Sequence, residues 1–261
     1  MARTGGSGTR QTKAERKEAA RREREELQRR IARQRRNRLV GMAGVALVAV
    51  VAVVVVVVVQ PGAVDVPSSD DALAQSAAAA EAAGCDRIAT TPAYDPEKND
   101  RTHIGAPGTG ILTPPPLSSY PTIPPASGPH DPTPWSAGVQ NSPPPVFQTI
   151  HSLEHAAAIV WYNPSAPSEQ VSELKTFYRD YLASSAGAGE KIIVAPYSYP
   201  EEGKAGSLPP GVGMALVAWH RLRTCAQVSI PAAFGFTAQY ALPPFKGERY
   251  RGVAPEPTTG I

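Results

Sequence analysis

The chain has 261 residues, 42% hydrophobic and 19% charged, room for one globular domain of ordinary size plus appendages. Its 28 prolines exclude a single compact helical bundle, and its two cysteines exclude a dense disulfide scaffold or a four-thiolate zinc site. The net charge of +3 hides an asymmetry: residues 1–38 carry 14 Lys and Arg against 5 Asp and Glu, and the remainder carries 12 against 18, an acidic balance that argues against nucleic acid as a partner of the main domain.

Residues 1–38 read as a cytoplasmic basic tail. Glu and Arg alternate in it at helical spacing, which predicts a solvated helix. It serves either as a topology signal or as a contact for anionic lipid or nucleic acid. Residues 39–59 follow without a charge, LVGMAGVALVAVVAVVVVVVV. About 20 apolar residues at ~1.5 Å rise cross the hydrocarbon core of a bilayer, so this run is read as one N-terminal transmembrane helix. A cleaved signal is the rival; the run is long for one, and Gln60-Pro61-Gly62 is a poor cleavage site. The basic flank keeps the N-terminus inside and puts residues 60–261 outside the cell membrane.

Residues 60–84 read as a linker. Its DDALAQSAAAAEAA stretch predicts at most a loose helix, because it lacks an apolar face. The extracytoplasmic domain is expected over residues 85–244. From Ala106 to Pro145 the prolines disfavour helix and central strand. Tyr120 and Trp135 favour an ordered loop wrapped on the domain over a disordered spacer. Strands are expected at Ala156–Tyr162, Lys191–Pro196 and Gly213–Trp219. An amphipathic helix is expected at Ser168–Ala183 with Ser168 as its N-cap, and a short last helix at Ser229–Tyr240. The fold class is α+β: a small sheet covered by one main helix, preceded by the Pro-rich loop. Residues 245–261 read as a flexible polar tail.

Cys85 and Cys225 bracket the globular part in an oxidising compartment, which favours a disulfide; thiolate ligation of a soft metal is the alternative. Four of the five histidines, His103, His130, His151 and His155, precede the first strand. In a helix, His151 and His155 share a face at i and i+4 and can reach one ion; in a strand they lie ~13 Å apart and cannot. Glu154 stands beside them as a fifth ligand or an orienting partner. The metal reading therefore needs a helical turn at 151–155. Otherwise the four are hydrogen-bonded structure, the reading given to the lone His220. His-x-x-Glu-His also matches a metallopeptidase pattern in which the Glu is the general base. That pattern needs a further carboxylate from a downstream helix, and Ser229–Tyr240 has none. Ser127 near His130 lacks the setting of an activated serine, and Gly105–Gly110 lacks the helix of a phosphate loop.

Cys85, His103, Pro124–His130 (PPASGPH), Trp135, HSLEHAAAIVWY and GMALVAWHRLRTC together resemble the actinobacterial domain-of-unknown-function 3105 family, across residues 85–235. The resemblance implies a single-pass, membrane-anchored protein with an extracytoplasmic domain, and it supplies no activity. It marks His103, Ser127, Gly128, His130, His151, Leu153, Glu154, His155, Trp219 and both cysteines. Ala156 stands where the family usually has Gly, and so does His220; the loop after His130 carries extra prolines. The leading expectation is a non-catalytic domain, tethered to the bilayer, that binds copper or zinc through the histidine cluster. A cell-envelope structural module that docks a protein partner on the Pro-rich loop is the alternative, and a metallohydrolase the third.

Overall fold

The computed structural model describes residues 66–95, 100–108 and 110–261. The expected basic tail and the membrane span at 39–59 lie outside these residues. Among the described residues no helix is long and apolar enough to cross a membrane.

The sheet is mixed and has six strands in the order β1-β6-β5-β3-β4-β2. These are β1 (Ala89–Thr90), β2 (Gly138–Val139), β3 (Ala158–Tyr162), β4 (Ile192–Pro196), β5 (Met214–Ala218) and β6 (Arg221–Cys225). β3 pairs in parallel with β4, and β4 with β2; the other pairs are antiparallel. Parallel β3 and β4 need a crossover, which α3 (Ser168–Ala183) provides. The strand β6, RLRTC, was not expected, because its polar residues lack the apolar run of a central strand. It needs none: it sits near the sheet edge, flanked by β5 and the two-residue β1.

β3, β4 and β5 are buried at every position. Successive side chains leave a strand on opposite faces, so continuous burial means that both faces are covered. This corrects the expectation of one covering helix. Ala158, Val160 and Tyr162 face a core built with α3, α4 (Ile230–Tyr240) and an N-terminal helix, α1 (Ser69–Ala82). Ile159 and Trp161 face a second core built from α2 (Val146–Glu154), Leu117, Tyr120 and Ala126. The Pro-rich segment is thus an ordered loop, buried without interruption from Pro124 to His130.

Two boundaries differ from the expectation. α1 is not a loose linker: Ser68 caps it, accepting a hydrogen bond from the Asp71 amide at 3.2 Å, and Ala72 and Ala80 are buried. A Cβ placed on Gly235 of α4 would collide with Ser76, so α1 and α4 cross closely on small side chains. An alanine face packs when its partner also presents small residues, a condition invisible in the α1 sequence alone. The residues after Pro244, expected to be a mobile tail, lie against the domain: Phe245 is buried, and the Glu256 amide donates to the Glu154 carbonyl at 3.0 Å. A smaller difference is the α3 N-cap, which is Pro167; Ser168 is its first helical residue.

Cys85 and Cys225 form a disulfide across a sequence separation of 140. It ties the end of α1 to the end of β6.

Candidate metal centre

Three local structures bring the histidines together. His103 and His130 sit opposite each other on an isolated parallel bridge: the Ile104 amide donates to the His130 carbonyl at 2.8 Å, and the His130 amide to the Thr102 carbonyl at 2.9 Å. The approach of this loop depends on Gly128, at φ +113°, whose missing Cβ would meet the Tyr94 and Tyr120 side chains. His151 and Glu154 lie in the last turn of α2, and His155 is its C-cap. The helical turn required at 151–155 is therefore present. α2 is stapled to the loop by Ser152, whose hydroxyl donates to the Trp135 carbonyl at 2.7 Å and accepts from the Trp135 amide at 2.8 Å.

α2 ends in a left-handed residue, Ala156 at φ +67°. The Ala156 amide donates to the Leu153 carbonyl and the Ala157 amide to the Ser152 carbonyl. This is the Schellman pattern, whose left-handed position favours Gly. It turns the chain directly from the ligand-bearing helix into β3.

The imidazoles are oriented through their Nδ1 atoms. Nδ1 of His130 lies 2.8 Å from the Gly128 carbonyl, Nδ1 of His151 2.6 Å from that of Asp131, and Nδ1 of His155 2.7 Å from that of Gly260. A carbonyl only accepts, so each Nδ1 carries the proton. In the neutral tautomer each Nε2 then holds a bare lone pair. These lone pairs converge. Nε2 of His151 faces Nε2 of His155 at 3.0 Å, and Nε2 of His130 faces Oε2 of Glu154 at 3.0 Å. Among the described residues Nε2 of His103 is buried without a hydrogen bond, 3.8 Å from the same Glu154 oxygen. His130, His151, Glu154 and His155 are all buried.

Burial raises the Glu154 carboxyl pKa, but His130, when its Nε2 also carries a proton, and the Arg101 guanidinium outweigh it and hold the group down to about 2. Burial is the main cause that lowers the His151 pKa, with the surrounding imidazoles acting in the same direction. The carboxylate is therefore charged and the His151 ring neutral at neutral pH.

Ligand atoms of His103, His130, His151 and Glu154 all lie within 4.8 Å of one another. Those of Glu154, His155 and Glu256 form a second such group. All five residues expected to converge are thus adjacent, with His155 placed in the second group rather than the first. His220 belongs to neither; its Nε2 lies 3.0 Å from Asp100 and its Nδ1 3.2 Å from the Thr91 carbonyl, the structural role expected of it.

Sequence reasoning missed Arg101, Lys191 and Glu256. Arg101 bridges Glu154 and Glu256. Nζ of Lys191 donates to the carbonyls of His155 at 2.8 Å, Pro257 at 3.0 Å and Thr259 at 2.5 Å, pinning the C-terminal segment over the end of α2. Arg101 stands two residues before His103, which was a faint signal. Glu256 lies a hundred residues from Glu154, and no spacing rule connects them.

Fold and site together define an α+β domain with a disulfide and a buried histidine–carboxylate cluster able to hold a metal. The chain belongs to the family described as "Protein of unknown function (DUF3105)", whose model matches residues 117–252, just over half of its length. The match includes His130, His151, Glu154, His155 and Cys225, and stops short of Cys85, His103 and Glu256. No curated protein and no solved structure matches the chain.

Proposed function

We propose that the protein is a membrane-tethered, extracytoplasmic domain that binds a transition metal, copper or zinc, without catalysing a reaction. One observation carries the metal reading: imidazoles whose Nδ1 protons are committed to backbone carbonyls turn bare Nε2 lone pairs toward each other and toward a charged carboxylate. Such an arrangement is repulsive unless a cation or protons sit within it, and a metal ion satisfies all the lone pairs at once. Three imidazoles and one carboxylate complete a tetrahedral shell, the closed type used for holding rather than for hydrolysis. Imidazole suits zinc and copper, and with both cysteines bridged no thiolate competes. The disulfide supports placement outside the membrane, where oxidising conditions prevail.

The test is a titration of the metal-stripped, detergent-solubilised full chain with Zn²⁺ and with Cu²⁺. Tight binding is expected at neutral pH, weakening as pH falls through ~6.5, since imidazole must be neutral to ligate. His151→Gln should abolish it and His220→Gln should spare it; equal binding by the two would reject the metal reading. The favoured survivor would then be the envelope-interaction module, with the Pro-rich loop as its docking face. The topology is tested with protease on intact cells, which should remove a C-terminal tag and spare an N-terminal one.

A further inference from the structure

The cluster contains more donors than one tetrahedral ion can use. Beyond His103, His130, His151 and one oxygen of Glu154, there remain Nε2 of His155, the second oxygen of Glu154, and the carboxylate of Glu256. Nε2 of His155 lies 3.4 Å from Oε2 of Glu256. Donors bound to one ion at ~2.0–2.2 Å sit about 3–4 Å apart, so this spacing fits a shared ion. Glu154 belongs to both groups. Its Oε2 faces His103 and His130, and its Oε1 faces Arg101. Glu154 could bridge two ions if Oε2 served the imidazoles and Oε1, which Arg101 now holds, served the second group.

We infer a second metal position, formed by Glu154, His155 and Glu256 and guarded by Arg101, which rests on the proposed first site. The guanidinium pairs with both carboxylates of this group, Nε with Glu154 and a terminal nitrogen with Glu256. It supplies in place the positive charge that an ion would bring. Oε1 of Glu154 cannot serve an ion and the guanidinium at once, so the second ion must displace Arg101 from it. The side chain is 37% exposed, which leaves it a path to solvent.

The other parts of the site suit this role. Glu256 is held in reach by its own amide on the Glu154 carbonyl, 3.0 Å away. His155 is oriented by the Gly260 carbonyl, and Lys191 fixes the carbonyls of Pro257 and Thr259 just before it. The C-terminal segment thus contributes both a ligand and the orientation of another. The second position has two carboxylates and one imidazole, a harder donor set than the first, and the guard makes it the weaker of the two.

The experiment is a Zn²⁺ titration of the full chain, reading stoichiometry and the affinity of each equivalent. Wild type should take one equivalent tightly and a second at least tenfold more weakly. Arg101→Gln should tighten the second equivalent by tenfold or more, a gain that loss of a structural ion pair would not produce. Arg101→Gln/Glu256→Gln should lose the second equivalent and keep the first. A single equivalent in Arg101→Gln, or a second equivalent that persists in the double variant, overturns the second position and leaves the first standing. No binding by wild type removes the first reading as well, so the two failures are distinct.

Discussion

The two faces of the sheet are covered by different means. One face carries α1, α3 and α4, and its core is dominated by rings and small aliphatic residues. The other carries the short α2 and a Pro-rich loop, and beside its apolar core lies the buried cluster of histidine and glutamate. Helices satisfy their own backbone groups, so the first face can be held by apolar area alone. A loop must find outside partners for its amides and carbonyls. Here several of those partners are side chains: the carbonyls of Gly128, Asp131 and Trp135 bond His130, His151 and Ser152. The irregular backbone of the second face is therefore the means by which the imidazoles are aimed. Stability should respond mainly to changes on the first face and metal affinity to changes on the second.

Phe234→Ala gives the largest expected effect. Phe234 is fully buried in α4, with ring centroids of Tyr181 at 4.8 Å, Phe245 at 5.1 Å and Phe177 at 5.3 Å. Its truncation should cost about 3–5 kcal/mol in denaturant unfolding. The variant that remains folded should bind metal like wild type. A large loss of affinity in the folded fraction would show that the faces are coupled.

Gly128→Ala should do the reverse. The added methyl must adopt φ +113° and push against Tyr94 and Tyr120. A stability loss of about 2–3 kcal/mol follows from the strain and overpacking together. The more telling readout is metal affinity, because the carbonyl that orients His130 belongs to Gly128. Unchanged affinity would break the claim that this loop aims the ligands.

The sequence was readable where local pattern and final environment agree. β3, β4, β5, α3 and α4 announce themselves by apolar runs or helical periodicity, and the structure has them within two residues of the expected bounds. Of the site, the i, i+4 pair His151 and His155 was legible because helical spacing places both on one face. The loop residues His103 and His130 were legible as types but not as neighbours, since only their backbone bridge sets the distance. α1 was obscured because alanines count as a packing face only against Gly235. Glu256 was obscured because a polar tail shows its partners only after folding.

On the helix-covered face a buried carboxyl sharpens the contrast. Glu190 is buried beside α3, where the Tyr181 hydroxyl donates to Oε1, and among the described residues Oε2 has no hydrogen-bond partner. Burial pushes its pKa up to about 7, with the Tyr181 bond opposing. The folded state then binds the proton more tightly than the unfolded chain, whose carboxyl titrates near ~4.3. This stability is fully present below that value and is lost as pH rises through about 7. Wild type should lose on the order of 2 kcal/mol between pH ~5 and ~8 relative to Glu190→Gln. Chemical denaturation of both across that range measures the difference; parallel pH curves would show that Glu190 is ionised throughout.

The smallest expected effect lies where the two faces meet. Ala156 closes α2 in the left-handed conformation, and its carbonyl accepts from the Leu242 amide just beyond α4, so one residue joins the ligand-bearing helix to the other side of the fold. An L-residue pays about 1–2 kcal/mol for this backbone conformation. Glycine removes that strain but frees the unfolded chain, which offsets about 0.4–1 kcal/mol. Ala156→Gly should therefore stabilise by a few tenths to ~1 kcal/mol. Its hydrogen bonds use backbone atoms alone and survive the change, so His151, Glu154 and His155 keep their places and metal affinity should not move. A Gly variant with higher stability and altered affinity would mean that the Ala156 methyl helps set the pitch of the last helical turn and with it the spacing of the ligands.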